Sequence, residues 1–435
     1  MVAPLKVGVA GLGTVGAALV AQVTQQRAAL EVRCGRAIEI AAVSARSRAK
    51  ERGISLKKFA WFSDPVELAR AGDIDVFVEL MGGADGAAKA AVEAALAAGK
   101  SVVTANKALL AKYGVRLASL AEKHHAALNF EAAVGGAIPI VKTLREGLAG
   151  NSFARIYGIL NGTCNYILTK MEEENRPFAE CLKEAQQLGY AEADPSFDVE
   201  CHDTAQKLAI LASLAFGTRV DERAIYVEGI SSIAPADLSA ADELGYRVKL
   251  LCVAVRTAKG IEQRVHPTMV RKDSAIAQVM GVTNAVTIDA EGIAPLTLVG
   301  PGAGGAATAS AVLSDIGDIA RGVRTAPFGR PAARLAAVHK APMQRHEGGY
   351  YIRLLARDKP GTAATIAKRL AEQDISMESI VQRHDTDGAG VKAGSVPVIL
   401  ITYATTEDAV RKALAAVGRD RVISGRPQVI RIEKN

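Results

Sequence analysis

Aromatic residues are scarce in this 435-residue chain, 4% of all positions with a single tryptophan, and cysteine and histidine are rarer still. The five cysteines (Cys34, Cys164, Cys181, Cys201, Cys252) are an odd number, dispersed and without metal-type spacing, which points to reduced thiols in a cytoplasm. The seven histidines form no ligand cluster, which argues against a transition-metal site. No apolar run reaches the length of a membrane span, and the start, MVAPLKVGVAGLG, enters a strand with no basic and apolar leader before it. Basic residues are scattered and the net charge of +7 is modest for this length, so neither nucleic acid nor a membrane is an expected partner. A phosphorylated small molecule suits the charge better.

What the chain does have is small and aliphatic: 49% apolar and 23% charged residues fit a soluble α/β protein, and the length implies two or three domains. Leu5 to Ala10 reads as a strand running into Gly11-Leu-Gly13-Thr14-Val15-Gly16 and then a helix. In that context GxGxxG becomes a pyrophosphate site: Gly11 permits the turn, Gly13 the close backbone approach and Gly16 the helix-sheet contact. The second strand, near Ile38 to Val43, ends without an acid and continues into Ser44, Arg46, Arg48 and Lys50, a set that favours the 2′-phosphate of NADP over the ribose hydroxyl of NAD, unless the cations merely coat a loop. Ile74 to Leu80, a helix from Ala87 to Ala98 and Ser101 to Thr104 extend a parallel sheet, and Asn106-Lys107 follows at a strand's carboxyl end, where ligands of such sheets bind.

The middle of the chain concentrates polar chemistry. Glu131 precedes the Gly135-Gly136 turn, which could hold a hard cation through oxygens or simply join strand to helix. Asn161-Gly162-Thr163 lies between a strand and a helix and can offer amides to a polar substrate, while Cys164 invites comparison with a thiol nucleophile. Leu188 to Leu211 carries Glu192, Asp194, Asp198, Glu200, Asp203 and Lys207 in one short stretch. On a helix, Asp203 and Lys207 form an i,i+4 pair, which by itself reads equally as a surface ion pair. Strands are expected at Tyr246 to Arg256, Ile261 to Val270 and Asn284 to Glu291, and a second glycine loop, LVGPGAGG (Leu298 to Gly305), opens a helix from Ala306 to Ile319. From Arg321 to Gly349 prolines and arginines replace periodicity, as in a linker. Beyond it, Tyr350 to Ala356, Thr362 to Glu372, Ile375 to Arg383, Val396 to Tyr403, Glu407 to Val417 and Gln428 to Ile432 spell βαββαβ, with a glycine-rich loop between the middle strands.

Taken together, GLGTVG, TANK, FEAAVGGAIP, GILNGTCNYIL, GYAEADPSFDV with D-x-x-x-K, and VGPGAGG resemble homoserine dehydrogenase through nearly all of the first 320 residues, and the C-terminal module with its DKPG turn resembles an ACT domain. The resemblance implies three domains: a Rossmann-type nucleotide-binding domain over 1–130, with 303–325 packing back on it; an α+β catalytic and dimerisation domain over 131–320; and, after a 321–349 linker, a ferredoxin-like regulatory domain over 350–435. It implies NADP(H)-dependent, less readily NAD(H)-dependent, interconversion of L-aspartate 4-semialdehyde and L-homoserine, a homodimer or homotetramer, and L-threonine as effector. By resemblance Lys207 is the acid/base, with Lys107 and Asp203 assisting. Glu192 takes the substrate ammonium, with Asp198, Thr163 and Gly189 also lining the substrate. Gly11, Gly13, Thr14, Val15, Gly16, Arg46, Lys107, Gly189 and Gly302 face the cofactor. Glu131 with the carbonyls of Val134, Gly136 and Ile138 holds Na⁺ or K⁺. One departure stands out: Cys201-His202 precedes Asp203 where the family pattern has glycine and an apolar residue. Two other functions fit the same motifs, an amino-acid aldehyde oxidoreductase using Cys164 and a catalytically idle amino-acid sensor.

Overall fold

The structure, a computed structural model, describes residues 2–343, 346–382 and 395–433. Arg383 and the glycine-rich loop after it lie outside the described residues.

Two sheets organise the chain. The first has the order β3-β2-β1-β4-β5-β6 and is parallel throughout: β1 (Leu5–Ala10), β2 (Ile38–Ser44), β3 (Ala60–Phe62), β4 (Val76–Glu79), β5 (Ser101–Thr104) and β6 (Leu128–Asn129). Val7, Val9, Val76, Val78 and Val103 are fully buried, as expected of strands covered on both faces. The covering helices are α1 (Thr14–Gln25), α2 (Arg27–Cys34), α3 (Pro65–Arg70), α4 (Ala87–Ala97) and α5 (Lys107–Lys123). Strand order reverses between β1 and β4, which opens a crevice at their carboxyl ends.

After α6 (Ile140–Lys142) the chain enters the second sheet, of eleven strands among the described residues. Its middle-domain part comprises β7 (Phe153–Ile159), β8 (Tyr226–Val227), β9 (Tyr246–Thr257), β10 (Gly260–Arg271), β11 (Thr283–Ala290) and β12 (Leu296–Pro301). Interspersed are α7 (Gly162–Glu174), α8 (Phe178–Gln187), α9 (Ser196–Val199), α10 (His202–Phe216) and α11 (Pro235–Glu243). Helix α12 (Gly305–Ala320) leaves this domain and returns to the first, burying Ala309, Val312 and Ile316 in one cluster with Val7, Leu19 and Val20. Each large aliphatic side chain buried this way is worth about 1.5–3 kcal/mol.

The C-terminal module follows as β13 (Glu347–Arg357), α13 (Thr362–Ala371), β14 (Met377–Gln382), β15 (Ser395–Thr402), β16 (Thr405–Thr406), α14 (Glu407–Arg419) and β17 (Ile423–Ile432). It has its own core around Tyr350, Ile352, Leu354, Ile366, Leu400 and Val410. Its sheet is nevertheless continuous with the catalytic one: β17 pairs in parallel with β10 through Thr268–Arg431 and Met269–Ile432. The segment from Arg321 to Met343 packs as a strap against the rest of the chain, because apolar residues sit among its prolines. Phe328 is fully buried with its ring centroid 5.2 Å from that of Phe130, and single bridges join Ala336 to Thr218 and Lys340 to Ile261. Among the described residues no helix is long and apolar enough to cross a membrane.

Candidate active site

Each glycine of the first loop has a separate steric reason. Gly11 has a φ of +99°, and a Cβ there would lie 2.4 Å from the Leu80 carbonyl oxygen. At Gly16 a Cβ would lie 2.0 Å from the Gly11 oxygen, so this residue lets α1 close on the turn. Gly13 faces open space instead, the condition for a ligand to approach the backbone. No side chain caps α1, so the N–H groups around Thr14 and Val15 keep their anion-binding capacity. Gly305, at the start of α12, abuts Thr14, where a Cβ would come within 2.7 Å of its methyl group. Gly302 is needed further back: a Cβ there would overlap the Asn284 amide, and Gly136 packs directly on its carbonyl.

Beside this loop a cavity of about 570 Å³ is lined by Gly11, Gly13, Ser44, Arg46, Lys50 and Arg52 among others. The cations here differ in what they do. Arg48 lies 5.9 Å over the Trp61 ring, and Arg52 donates to the carbonyls of Leu12, Ser47 and Lys50, fixing the loop after β2 to the glycine turn. Arg46 and Lys50 make no ion pair among the described residues, which leaves both charges available to an anion.

A clamp that sequence reasoning missed sits at the end of β4. The buried Glu79 accepts from the Met81 and Gly82 N–H groups at 2.7 and 3.0 Å and from the Thr104 hydroxyl at 2.6 Å. Thr104 in turn accepts from Asn106 N–H, Asn106 donates to the Gly83 carbonyl, and the Asn106 side chain caps α5 through Leu109 N–H. The crevice loop and the start of α5 are thereby locked together, and Lys107 is the first residue of that helix. An acid closing an otherwise apolar strand was the available signal.

Lys107 reaches across to the middle domain. Its Nζ lies 3.0 Å from Asp203 Oδ1, while Lys207 Nζ lies 2.8 Å from Asp203 Oδ2 and donates to the Leu160 carbonyl at 2.8 Å. Burial opposes charge on Asp203, but the two ammonium groups prevail and hold its carboxyl down to about 2. Asn161, which caps α7 by accepting from Cys164 N–H, uses its amide to bridge Asp198 (2.9 Å) and Asp203 (3.2 Å). Asp198 is raised instead, because burial and the nearby Asp203 charge outweigh the Asn161 hydrogen bond. Lys207 thus spends two of its three N–H bonds on fixed acceptors and has one left for a substrate oxygen. The Leu160 and Asn161 contacts carried no recognisable sequence signal beyond the NGT turn.

The remaining expected residues fall around this cluster. Thr163 donates to the Tyr190 carbonyl at 2.6 Å, which pins the loop containing Gly189 (φ +74°) and Glu192 over the turn. Glu192 is exposed and its carboxylate makes no ion pair among the described residues, so it is outside the hydrogen bonds of the Lys107–Asp203–Lys207 group. Cys164 is fully buried, its thiol 3.3 Å from the Asp198 carbonyl, and a hydrogen bond with the Cys201 thiol together with burial pushes its pKa well up. A thiolate nucleophile is disfavoured there.

The turn at Glu131 is polar and dry. The Glu131 carboxylate accepts from Val141 and Lys142 N–H, both at 2.8 Å, and its own N–H donates to Asp315 at 2.9 Å. Burial raises both carboxyls, Asp315 to about 7 with Glu131 as second cause, and Asp315 Oδ1 lacks a hydrogen-bond donor. The Lys142 ammonium goes to Asp318 and Ser314. The Lys142 ammonium also lies 3.8 Å from Asp315 Oδ1, and two buried carboxyls this close are a setting in which a hard cation would be favourable.

Family models match three stretches of the chain. Residues 11–131 match "Homoserine dehydrogenase, NAD binding domain", 139–316 match "Homoserine dehydrogenase" and 350–419 match "ACT domain". The homoserine dehydrogenase of Neisseria gonorrhoeae is 44% identical over 95% of both chains. The crystal structure of a homoserine dehydrogenase from Thiobacillus denitrificans superposes with a TM-score of 0.92 at 39% identity, covering 99% of this chain and 98% of that one. A hyperthermophilic archaeal homoserine dehydrogenase solved in complex with NADPH covers 72% of this chain and 97% of its own, with a TM-score of 0.62 at 28% identity.

All five cysteines are buried and unpaired. Iodoacetamide at mildly alkaline pH is therefore expected to leave Cys164 unlabelled in the native protein and to label it after urea unfolding, as read by peptide mass spectrometry. Rapid native labelling would reveal an accessible thiolate.

Proposed function

The chain belongs to the homoserine dehydrogenase family, and from that premise we propose that it reduces L-aspartate 4-semialdehyde to L-homoserine with NADPH, reversibly, as a step toward threonine, methionine and isoleucine. The observation that carries the reading is Asp203 held between two ammonium groups beyond the carboxyl ends of a parallel sheet. When bound, the nicotinamide cofactor supplies the hydride. Negative charge then grows on the aldehyde oxygen, and the free N–H of Lys207 stabilises it and passes a proton to it. Asp203 aims Lys207 and Lys107, with Asn161 fixing the carboxylate. Glu192, exposed and unpaired, takes the substrate ammonium, with Asp198, Thr163 and Gly189 lining the same side. The buried, high-pKa thiol of Cys164 speaks against the acyl-enzyme alternative.

NADP specificity is supported by the uncommitted charges of Arg46 and Lys50 beside the glycine loop and by the NADPH-bound archaeal relative. Gly11, Gly13, Thr14, Val15 and Gly16 would cradle the pyrophosphate, with Lys107, Gly189 and Gly302 toward the nicotinamide end. Na⁺ or K⁺ at Glu131 and the carbonyls of Val134, Gly136 and Ile138 would stiffen the turn on which Gly302 rests. The ACT module supports feedback by L-threonine. The exposed β12 edge, with Val299 open to solvent, supports a homodimer or homotetramer paired through middle-domain sheets, and five free cysteines support a cytoplasmic setting.

Absorbance of NADPH with aspartate semialdehyde tests the main reading, and an absence of oxidation would sink it. Lys207→Ala is expected to lower kcat by about a hundredfold or more while NADPH affinity, read by fluorescence titration, stays near native. Replacing Arg46 and Lys50 together by alanine should raise KM for NADPH by about tenfold or more, each contact to a phosphate being worth about 1.5–3 kcal/mol. KM for NADH should hardly move, and an equal rise for both cofactors would discard the 2′-phosphate assignment. Titration with L-threonine should inhibit the full chain, and a flat curve removes the effector.

A further inference from the structure

The departure at Cys201-His202 is not absorbed by the reaction. Cys201 is fully buried and has a φ of +69°, a left-handed conformation that costs any residue with a Cβ and suits glycine. This strained residue caps the helix that presents Asp203 and Lys207. Something must hold it.

The contacts around it lead to the C-terminal module. The Cys201 thiol lies 3.5 Å from the Glu228 carbonyl. Beside that contact the two segments are stitched together: Ile230 N–H donates to the Val199 carbonyl at 3.1 Å, and the Ser231 hydroxyl donates to Glu200 at 2.6 Å. Gly229 packs so closely that a Cβ would lie 2.6 Å from the Val199 oxygen. The Glu228 carboxylate is gripped in turn by Arg431 of β17, with N–O distances of 2.6 and 3.2 Å. Arg431 is 2% exposed and also binds Glu407, the first residue of α14, at 2.8 and 3.0 Å, and its guanidinium stacks 5.2 Å over Tyr226. A buried guanidinium in a fixed fork between two carboxylates tolerates little displacement of either.

We propose that Arg431 is a positioning residue for the Asp203–Lys207 pair: by fixing Glu228 it presses the 226–231 segment against Cys201 and so sets the left-handed turn from which the catalytic helix starts. The C-terminal module is thereby built into the geometry of the proton-transfer site: the Arg431 guanidinium ties β17 and α14 to the Glu228 side chain, beside the backbone link in which β17 pairs with β10 and β10 holds β8 and the Glu228 N–H. The inference rests on the roles given above to Asp203 and Lys207, which Lys207→Ala tests separately.

The experiment uses the full chain carrying Glu228→Gln, Arg431→Lys, Arg431→Met, or Cys201→Ala, alone and combined. Amide hydrogen exchange of residues 199–207, without cofactor or substrate, is expected to quicken about tenfold or more in Glu228→Gln and Arg431→Met, with Arg431→Lys intermediate because one ammonium cannot fork between two acids. In the same variants kcat should fall about three- to tenfold with KM for NADPH unchanged. Joined to Cys201→Ala, the Glu228→Gln effect should shrink, since both act on one contact. A folded Glu228→Gln protein with native exchange at 199–207 and native kcat would overturn the proposal, as would strictly additive effects. Should Arg431→Met fail to fold, Glu228→Gln alone decides. Because exchange does not depend on turnover, a failure of the catalytic assignment and a failure of this link give different results.

Discussion

Everything at this site depends on a carboxylate that burial alone would neutralise. Asp203 stays ionised because ammonium groups arrive from two directions, Lys107 from the first helix turn beyond β5 and Lys207 from one turn along its own helix. Remove either cation and the charge balance of a nearly dry cluster fails, and removing the acid would leave two ammonium groups facing each other. The arrangement also fastens two domains, since Lys107 stands on α5 of the first and Lys207 on α10 of the second. The reactive geometry therefore exists only where the domains meet. Asn161 completes the balance by donating to two acids with opposite tendencies, Asp203 pulled down and Asp198 pushed up.

Much of this was legible in the sequence because the relevant signals are local. The spacing of Gly11, Gly13 and Gly16 reports a turn with no room for side chains, and the i,i+4 spacing of Asp203 and Lys207 reports one helix face. The βαββαβ order of the C-terminal third likewise follows from periodicity read segment by segment. What escaped is long-range or made of backbone. No spacing rule links Lys107 to Asp203, and the Leu160 carbonyl that orients Lys207 has no side chain to read. Nor could composition tell which cations after β2 are committed: Arg52 spends itself on carbonyls while Arg46 and Lys50 do not. The merging of the C-terminal sheet with β10 was likewise hidden, because two residue pairs make the seam.

Glycine and cysteine trade places in an instructive way. Gly136 rests on the Gly302 backbone and Gly302 on the Asn284 side chain, so that neither tolerates a methyl group, and the turn after Glu131 and the second glycine loop are packed together. Cys201 stands at the opposite extreme, a side chain in a conformation that glycine would adopt freely, kept by the contacts of its thiol and of the segments beside it.

The return of α12 to the first domain has a consequence for how the protein is made. The β1 and α1 surface that it covers, including Val7, Leu19 and Val20, is completed by residues translated long after the rest of that domain. While the middle domain is emerging from the ribosome, this apolar surface has no cover, and the glycine loop lacks the Gly305 contact at Thr14. Domains of most chains fold in order of synthesis. Here the first domain can reach its final packing only once the second has been threaded out and back, so the two mature as one cooperative unit.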